Sequence, residues 1–349
     1  MDWQIAGFLA VDGFTSGAIY ALLALALVLV FSVTRIILVP LGELMVYAGV
    51  TLALLGHDRV PATGALLLAM GVACFALELW EARRGTTPRR LALAAVKFLA
   101  LPLALLLITR WAAPRALPLP LDMALTTLLI VPMGPMLYRI VFQPMAEAST
   151  LVLLIVSVAT HFALTGLGLV MFGPEGWSAA PLWDASFDLA GVPLSGQSLA
   201  IWASSLLLML ALYLFFSRTL PGKALRAVAV NRLGARLIGV GSAQAGRLTF
   251  TLATAIVTAC GMLAAPLTAL TYDGGFVIAL KGFIGAIIGG LVGYPLAAAG
   301  ALLVGLLEAF ASFWASSYKE VIVFTLVLPV LLWRSLASHG RHHDDEEEE

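Results

Sequence analysis

The sequence predicts an all-α fold, a polytopic integral membrane helical bundle of about 10–11 transmembrane helices with the N-terminus outside and the C-terminus cytoplasmic. Of the 349 residues, 61% are hydrophobic and only 11% are charged, and the mean hydropathy is +1.00. Soluble domains carry roughly 25% charged residues. Long apolar runs recur along the chain, and in lipid such runs form helices, because helices satisfy their own backbone hydrogen bonds.

The individual spans follow from these apolar runs, each about 20 residues long. Four runs contain no charged residue: 13–34, 199–217, 248–272 and 282–307. The last run is long enough for two helices, and Gly293, Tyr294 and Pro295 mark the expected break. The remaining spans are 36–55, 62–80, 91–108, 123–142, 151–172 and 321–333.

The segment 217–247 sets the orientation of the spans. It carries six basic residues and no acidic one: Arg218, Lys223, Arg226, Arg232, Arg236 and Arg247. Because loops rich in Lys and Arg stay in the cytoplasm, this segment is predicted to be inside. The same threading places the basic loop 81–90 inside and the acidic loop 174–197 outside. Arg110 and Arg115 are predicted to be outside, a mild departure from the rule.

The basic segment also predicts a surface for a partner. Pro221 and Gly222 end the preceding span, and a short helix follows until Asn231. A second turn ends before the Gly-rich stretch at Gly239. A plain cytoplasmic loop is the alternative interpretation. The predicted docking residues are Lys223, Arg226, Asn231, Arg232, Arg236 and Gly239, with Arg232 and Arg236 one turn apart and available to acidic groups.

Ionisable residues inside apolar spans are the candidates for a transport pathway. Such groups cost a few kcal/mol in a membrane and are therefore functional hypotheses by default. Glu43 and Lys281 either line a pathway or serve at helix ends. His161 is either a pathway residue or a satisfied interior histidine, and Glu308 is interpreted as structural.

Several functions are excluded or disfavoured. The formal net charge is zero, which gives no reason to expect nucleic acid as a partner. No phosphate-binding loop of the form G-x-x-x-x-G-K-[ST] occurs, so the chain is not predicted to hydrolyse ATP itself. We find no catalytic or metal-binding constellation and expect no cofactor. The residues 339–349 are too polar to pack and are predicted to form a disordered acidic tail after a permease domain of residues 1–338.

Four blocks of the sequence resemble the branched-chain amino-acid type of ABC-transporter permease, an inner-membrane subunit of bacterial uptake systems. The first is Gly13, Gly17 and Tyr20-Ala21-Leu22, and the second is Gly42-Glu43. The third and fourth blocks are the most specific. They comprise Gly222, Arg226, Ala227, Asn231, Ala235, Gly239 and Val240, and then Lys281, Phe283, Gly289, Gly290, Gly293, Pro295 and Glu308.

This resemblance implies an importer in the bacterial inner membrane. Its partners would be separate ATP-hydrolysing subunits on the coupling segment 217–247, a second homologous or identical permease, a periplasmic solute-binding protein, and membrane lipid. The predicted substrate pathway comprises Tyr20, Gly42, Glu43, His161 and Lys281. The expected solute is small and polar or amphiphilic: an amino acid, amide, urea or carboxylate.

The chain departs from the family pattern at three places. It reads Leu38-Val39-Pro40-Leu41 where the family has a polar Asn-x-Ala-His, and Thr165-Gly166 near the place where the family often shows Gln-Asn. The stretch 62–110 is predicted to be an extra helical pair. The first two departures indicate an altered pathway lining. A stand-alone secondary transporter or channel is the alternative, and it would show discontinuous helices in both halves.

Overall fold

The computed structural model describes residues 3–82, 88–115, 117–189, 191–291 and 293–325, with residues 329 and 332. The predicted tail 339–349 and most of the last predicted span lie outside the described residues. The described chain is almost entirely helical, which confirms the all-α membrane bundle. Within it, eight helical segments are long and apolar enough to cross a membrane, and two shorter apolar helices accompany them.

The helices follow the predicted spans with shifted ends. They are α1 Trp3–Thr34, α2 Leu41–Gly56, α3 Thr63–Ala82, α4 Pro88–Ala95, α5 Leu101–Ala112, α6 Leu119–Ile130, α7 Met133–Leu137, α8 Thr150–Phe172, α9 Gly196–Arg218, α10 Leu220–Val230, α11 Arg232–Leu237, α12 Ser242–Ala264, α13 Gly274–Ile288, α14 Tyr294–Ala315 and α15 Lys319–Thr325. One π-helical turn, Val96–Ala100, joins α4 to α5, and another, Tyr138–Phe142, continues α7.

Helix α1 lies at the centre of the bundle and packs against α12, α13 and α14. All residues from 17 to 30 are buried. The crossing with α14 is close because glycines face each other: a Cβ on Gly305 would collide with the backbone of Gly17, and one on Gly13 would meet the backbone of Leu306. The small residues of α1 therefore serve helix packing.

Helix α2 begins later than predicted. The apolar run starts at residue 36, but the helix starts at Leu41, after Pro40 at φ −70°. A residue before proline, here Val39, is disfavoured in the α region. Further back, Arg35 adopts a left-handed φ of 62° directly after α1 ends. The amide of Val39 donates to the hydroxyl of Ser157, which lies well inside α8 (2.9 Å). The first turn of α2 therefore lies in the interior of the bundle.

The Gly-rich late stretch is broken, as predicted. Helix α13 ends at Ile288 and α14 begins at Tyr294. Gly290 and Leu291 between them have φ of 73° and 61°. The left-handed region is easily reached by glycine but costly for leucine, so the turn is held by its surroundings.

The stretch 62–110 contains the expected helical pair, α3 and the continuous span Pro88–Arg115, which pack against each other. Ion pairs tie α3 to the rest of the bundle. Arg139 is 5% exposed, and its Nη2 lies 2.8 Å from Glu78 and 3.2 Å from Glu81. That the pair is an insertion relative to the family remains a prediction.

The loop before α9 carries a small antiparallel hairpin, Ser186–Leu189 with Val192–Ser195. A bridge between Trp177 and Leu270 ties this loop to the connection between α12 and α13. Since α9 runs 23 residues from Gly196 to Arg218, the acidic loop and the basic segment lie at opposite ends of the bundle.

The α1–α14 crossing yields a test of stability. We expect Gly305→Ala to lower the free energy of unfolding of the purified protein by about 1–3 kcal/mol. The added methyl would meet the backbone of Gly17, which cannot rotate away as a side chain could. The matched control is Gly166→Ala in α8, where a Cβ would meet nothing within 4 Å. Equal melting temperatures of both variants in detergent would contradict the proposed packing.

Candidate functional site

Three helices bring Tyr20, Lys281 and Glu308 together in the interior of the bundle. The Nζ of Lys281 lies 2.5 Å from Glu308 Oε1, and the hydroxyl of Tyr20 donates to Glu308 Oε2 at 2.7 Å. Nζ also lies 5.7 Å from the centroid of the Tyr20 ring. The side chains of Lys281 and Glu308 are 7% and 14% exposed. This cluster links α1, α13 and α14 through one carboxylate.

A second polar pair joins α2 to α8. His161 Nδ1 lies 2.7 Å from Glu43 Oε1, with His161 halfway along α8 and Glu43 in the first turn of α2. Glu43 is fully buried. Its second oxygen, Oε2, has no hydrogen-bond partner among the described residues. Because an unpartnered buried carboxylate oxygen is costly, this atom is a candidate contact for a transported polar group.

Helix α13 touches both polar groups. Its Phe276 ring lies 4.7 Å from the His161 ring, and its Lys281 belongs to the cluster with Glu308. Five residues of helix rise by about 7.5 Å, so the two groups are neighbours along the membrane depth. Gly42 precedes Glu43 and packs against Gly275 of α13. A Cβ on either of these two glycines would clash with the backbone of the other. Gly42 is therefore a close-approach position between α2 and α13.

Sequence reasoning missed the part that Glu308 plays. It treated Glu308 as a structural residue separate from the pathway candidates, whereas the carboxylate contacts two of them. The signal was available, since an acidic and a basic residue in neighbouring apolar spans are expected to pair. Arg139 was missed in the same way, although its partners Glu78 and Glu81 lie in α3, which packs against the π-helical turn that carries Arg139.

The coupling segment forms two short helices, α10 and α11, close to the predicted positions. Thr219 caps α10 by accepting from the amide of Gly222, and Asn231 caps α11 by accepting from Gly234. Gly239 ends α11 with φ of 89°, a conformation that favours glycine. Asn231 and Gly239 thus shape the segment.

The four basic candidates differ in their contacts. Arg232 bonds within the chain: its Nη2 donates to the carbonyls of Val33 (3.2 Å) and Thr34 (2.9 Å), and its Nη1 to that of Ala146 (3.4 Å). Arg236 lies 3.4 Å from Glu147. Lys223 is exposed, and so is Arg226, whose Nη2 donates to the carbonyl of Phe216. Arg232 is therefore less available to a partner than the sequence suggested, whereas Arg236 is exposed and has only a surface ion pair.

The surface of α10 and α11 combines basic and exposed apolar side chains. A hollow of about 420 Å³ between the two helices is bordered by Lys223, Arg226 and Asn231. Four apolar residues in or beside it are each at least 69% exposed: Val230 and Ile238, which line the hollow, and Leu233 and Leu237. Exposed apolar patches rimmed by polar groups are typical of protein interaction sites. The sequence pattern indicated the basic residues of this surface but not these apolar ones.

Together, the apolar helices, the buried ion pairs and the docking-type surface define a multi-pass membrane transport protein. Residues 87–331, well over half of the chain, match the family described as branched-chain amino acid transport system / permease component. The chain belongs to this family, which confirms the resemblance and the location in the bacterial inner membrane.

Curated relatives agree with the family assignment. Over 215 residues the chain is 29% identical to the high-affinity branched-chain amino acid transport system permease protein BraD of Pseudomonas aeruginosa, covering 60% of this chain and 70% of BraD. It is 27% identical over 210 residues to the permease protein LivH of Escherichia coli K12, covering 58% and 68%. The LivH of Salmonella typhimurium matches to the same extent. No solved structure matches the chain.

The buried cluster yields a double-substitution test. Lys281→Met should lower stability by about 3–5 kcal/mol, because it leaves the Glu308 carboxylate buried without its cation. The double variant Lys281→Met/Glu308→Met should recover part of this loss, since it removes both charges but leaves the Tyr20 hydroxyl without its acceptor. The stability of both variants is measured by thermal unfolding in detergent. A double variant as unstable as the single one would show that the ion pair is not what Lys281 contributes.

Proposed function

We propose that this chain is the membrane-spanning subunit of an ATP-driven importer of a small polar or amphiphilic solute. Separate ATPase subunits dock on α10 and α11, and a second permease, homologous or identical, completes the pathway. The N-terminus and the acidic loop then face the periplasm, where a solute-binding protein delivers the solute. The names of the relatives support an amino acid as solute, and amides, ureas and carboxylates belong to the same proposal.

The observation that carries this proposal is the surface of α10 and α11. Its apolar side chains lie at the end of the bundle beyond the last turn of α9, the end that the sequence predicts to be cytoplasmic. Its cations suit the acidic groups of a soluble partner. Arg232 bonds to the last carbonyls of α1, so movement of α11 is passed directly to the central helix.

The proposed pathway uses the polar groups around α2 and α13. Glu43 stands in the first turn of a helix that begins inside the bundle, and such discontinuous helices form binding sites in many transporters. Its free Oε2 is available to a donor group of the solute once the surrounding helices part. Tyr20, His161 and Lys281 hold the polar surroundings in place.

Docking is tested by charge reversal on Lys223 and Arg226, two exposed basic residues that border the hollow between α10 and α11. Lys223→Glu/Arg226→Glu should reduce copurification of the cognate ATPase subunits by at least about tenfold, because like charges across an interface cost several kcal/mol. The control is Arg89→Glu, which reverses an exposed charge in a different basic stretch. Unchanged copurification, together with normal uptake, would refute the docking surface.

The pathway is tested by removing one charge without changing shape. Glu43→Gln should lower solute uptake by about ten- to hundredfold, the value of one hydrogen bond to a charged group, while ATPase copurification stays normal. Asp122→Asn is the control, since Asp122 is also buried in a span but lies outside both polar groups. Full uptake by Glu43→Gln would remove Glu43 from the pathway.

A stand-alone secondary transporter is the second candidate, and one observation favours it. Helix α2 begins inside the bundle and α13 is separated from α14, so both halves contain a discontinuous element. Uptake by the purified chain alone in liposomes, driven by an ion gradient without any ATPase, would select this candidate.

A further inference from the structure

An apolar cavity of about 580 Å³ lies where α1, α9, α10 and the start of α14 meet. Its apolar lining includes Leu25, Met209, Leu212, Phe216 and Ala298. The cavity reaches the outer face of α9, since Tyr213 lines it and is 68% exposed. Neighbouring side chains on that face, such as Leu210 and Leu214, are exposed and apolar, as expected for a surface in contact with lipid.

One end of this cavity is polar and positively charged. Arg35 and Arg226 line it together with the side chains of Ser32 and Tyr294, and no acidic residue is among its described lining residues. Both arginines are exposed. Arg226 uses one nitrogen on the carbonyl of Phe216, which leaves its other donors free to face the cavity. Arg35 follows the last residue of α1 and lies over the ring of Phe31.

The position of this charged end matches the edge of a membrane. Helix α9 has 23 residues and a length of about 34 Å, slightly more than a hydrocarbon core of about 30 Å. Arg226 lies in α10, just after α9 ends, and Arg35 lies just after α1 ends. The apolar part of the cavity extends from there towards the middle of α1 and α9, where an acyl chain would run.

We propose that this cavity binds one anionic phospholipid of the leaflet next to α10. The phosphate is held by the guanidinium groups of Arg35 and Arg226, and an acyl chain fills the apolar part. Two cations with no carboxylate among the described lining residues suit an anionic headgroup, and basic pockets between helices at this level are typical anionic-lipid sites. Such a lipid would bridge α1 to α10, so that the coupling segment depends on the lipid composition.

The test measures lipid retained by the full-length protein. The protein is purified in mild detergent, incubated with phosphatidylglycerol or phosphatidylcholine, and analysed by native mass spectrometry. We expect one phosphatidylglycerol per chain and weaker binding of phosphatidylcholine. Arg35→Gln should weaken retention of phosphatidylglycerol by at least about tenfold, as expected for one lost charge-assisted hydrogen bond. The control Arg218→Gln removes an exposed charge outside the cavity lining and should retain the lipid.

A second variant separates the acyl-chain site from charge attraction alone. Ala298→Phe fills the apolar part and leaves both arginines in place, so it should also lose the lipid while remaining monodisperse. Retention unchanged in Arg35→Gln and Ala298→Phe would overturn the proposal, as would displacement of the lipid by free phosphate. Crosslinking of Tyr213→Cys to the second permease in the assembled transporter would also overturn it, because the cavity would then be a protein interface.

Discussion

The close crossing of α1 with α14 is the constraint on which the rest of the bundle depends. Lipid tails are as apolar as leucine side chains, so helices in a membrane associate through close packing and polar contacts and not through burial from water. Gly13, Gly17 and Gly305 allow the two backbones to touch. With α14 at this distance, the carboxylate of Glu308 reaches the hydroxyl of Tyr20 on α1. The buried polar cluster is thus a consequence of the glycine contact.

The two polar groups in the interior differ in how completely they are satisfied. The carboxylate of Glu308 accepts from both Tyr20 and Lys281, one donor on each oxygen. The carboxylate of Glu43 has His161 on one oxygen and no partner among the described residues on the other. Breaking the hydrogen bonds of a fully satisfied buried carboxylate costs free energy, whereas the second oxygen of Glu43 can gain a partner without losing one. Glu43 is therefore better suited than Glu308 to exchange partners during transport.

The sequence predicted the architecture well where hydropathy decides it, and less well where individual contacts do. The apolar runs located α8 and α9 to within a few residues. They gave too early a start for α2, because hydropathy does not reflect the effect of Pro40 on the backbone of the residue before it. The site was predicted as single residues, and all five pathway candidates lie in the interior. A pair of an acidic and a basic residue could be expected from the sequence, but the inclusion of Tyr20 in the cluster depends on helix crossings that no residue pattern in one chain specifies.

The coupling segment shows the same limit and also how force could reach the interior. The pattern of six basic residues predicted a docking surface, but Arg232 is engaged within the chain, which leaves Lys223, Arg226 and Arg236 as the exposed charges of α10 and α11. The bond from Arg232 to Thr34 makes α11 the cap of α1. Because α1 carries Tyr20 halfway along its length, a rigid shift of this helix changes the distance between Tyr20 and Glu308. Arg232 on α11 is therefore connected to the buried cluster through one continuous helix.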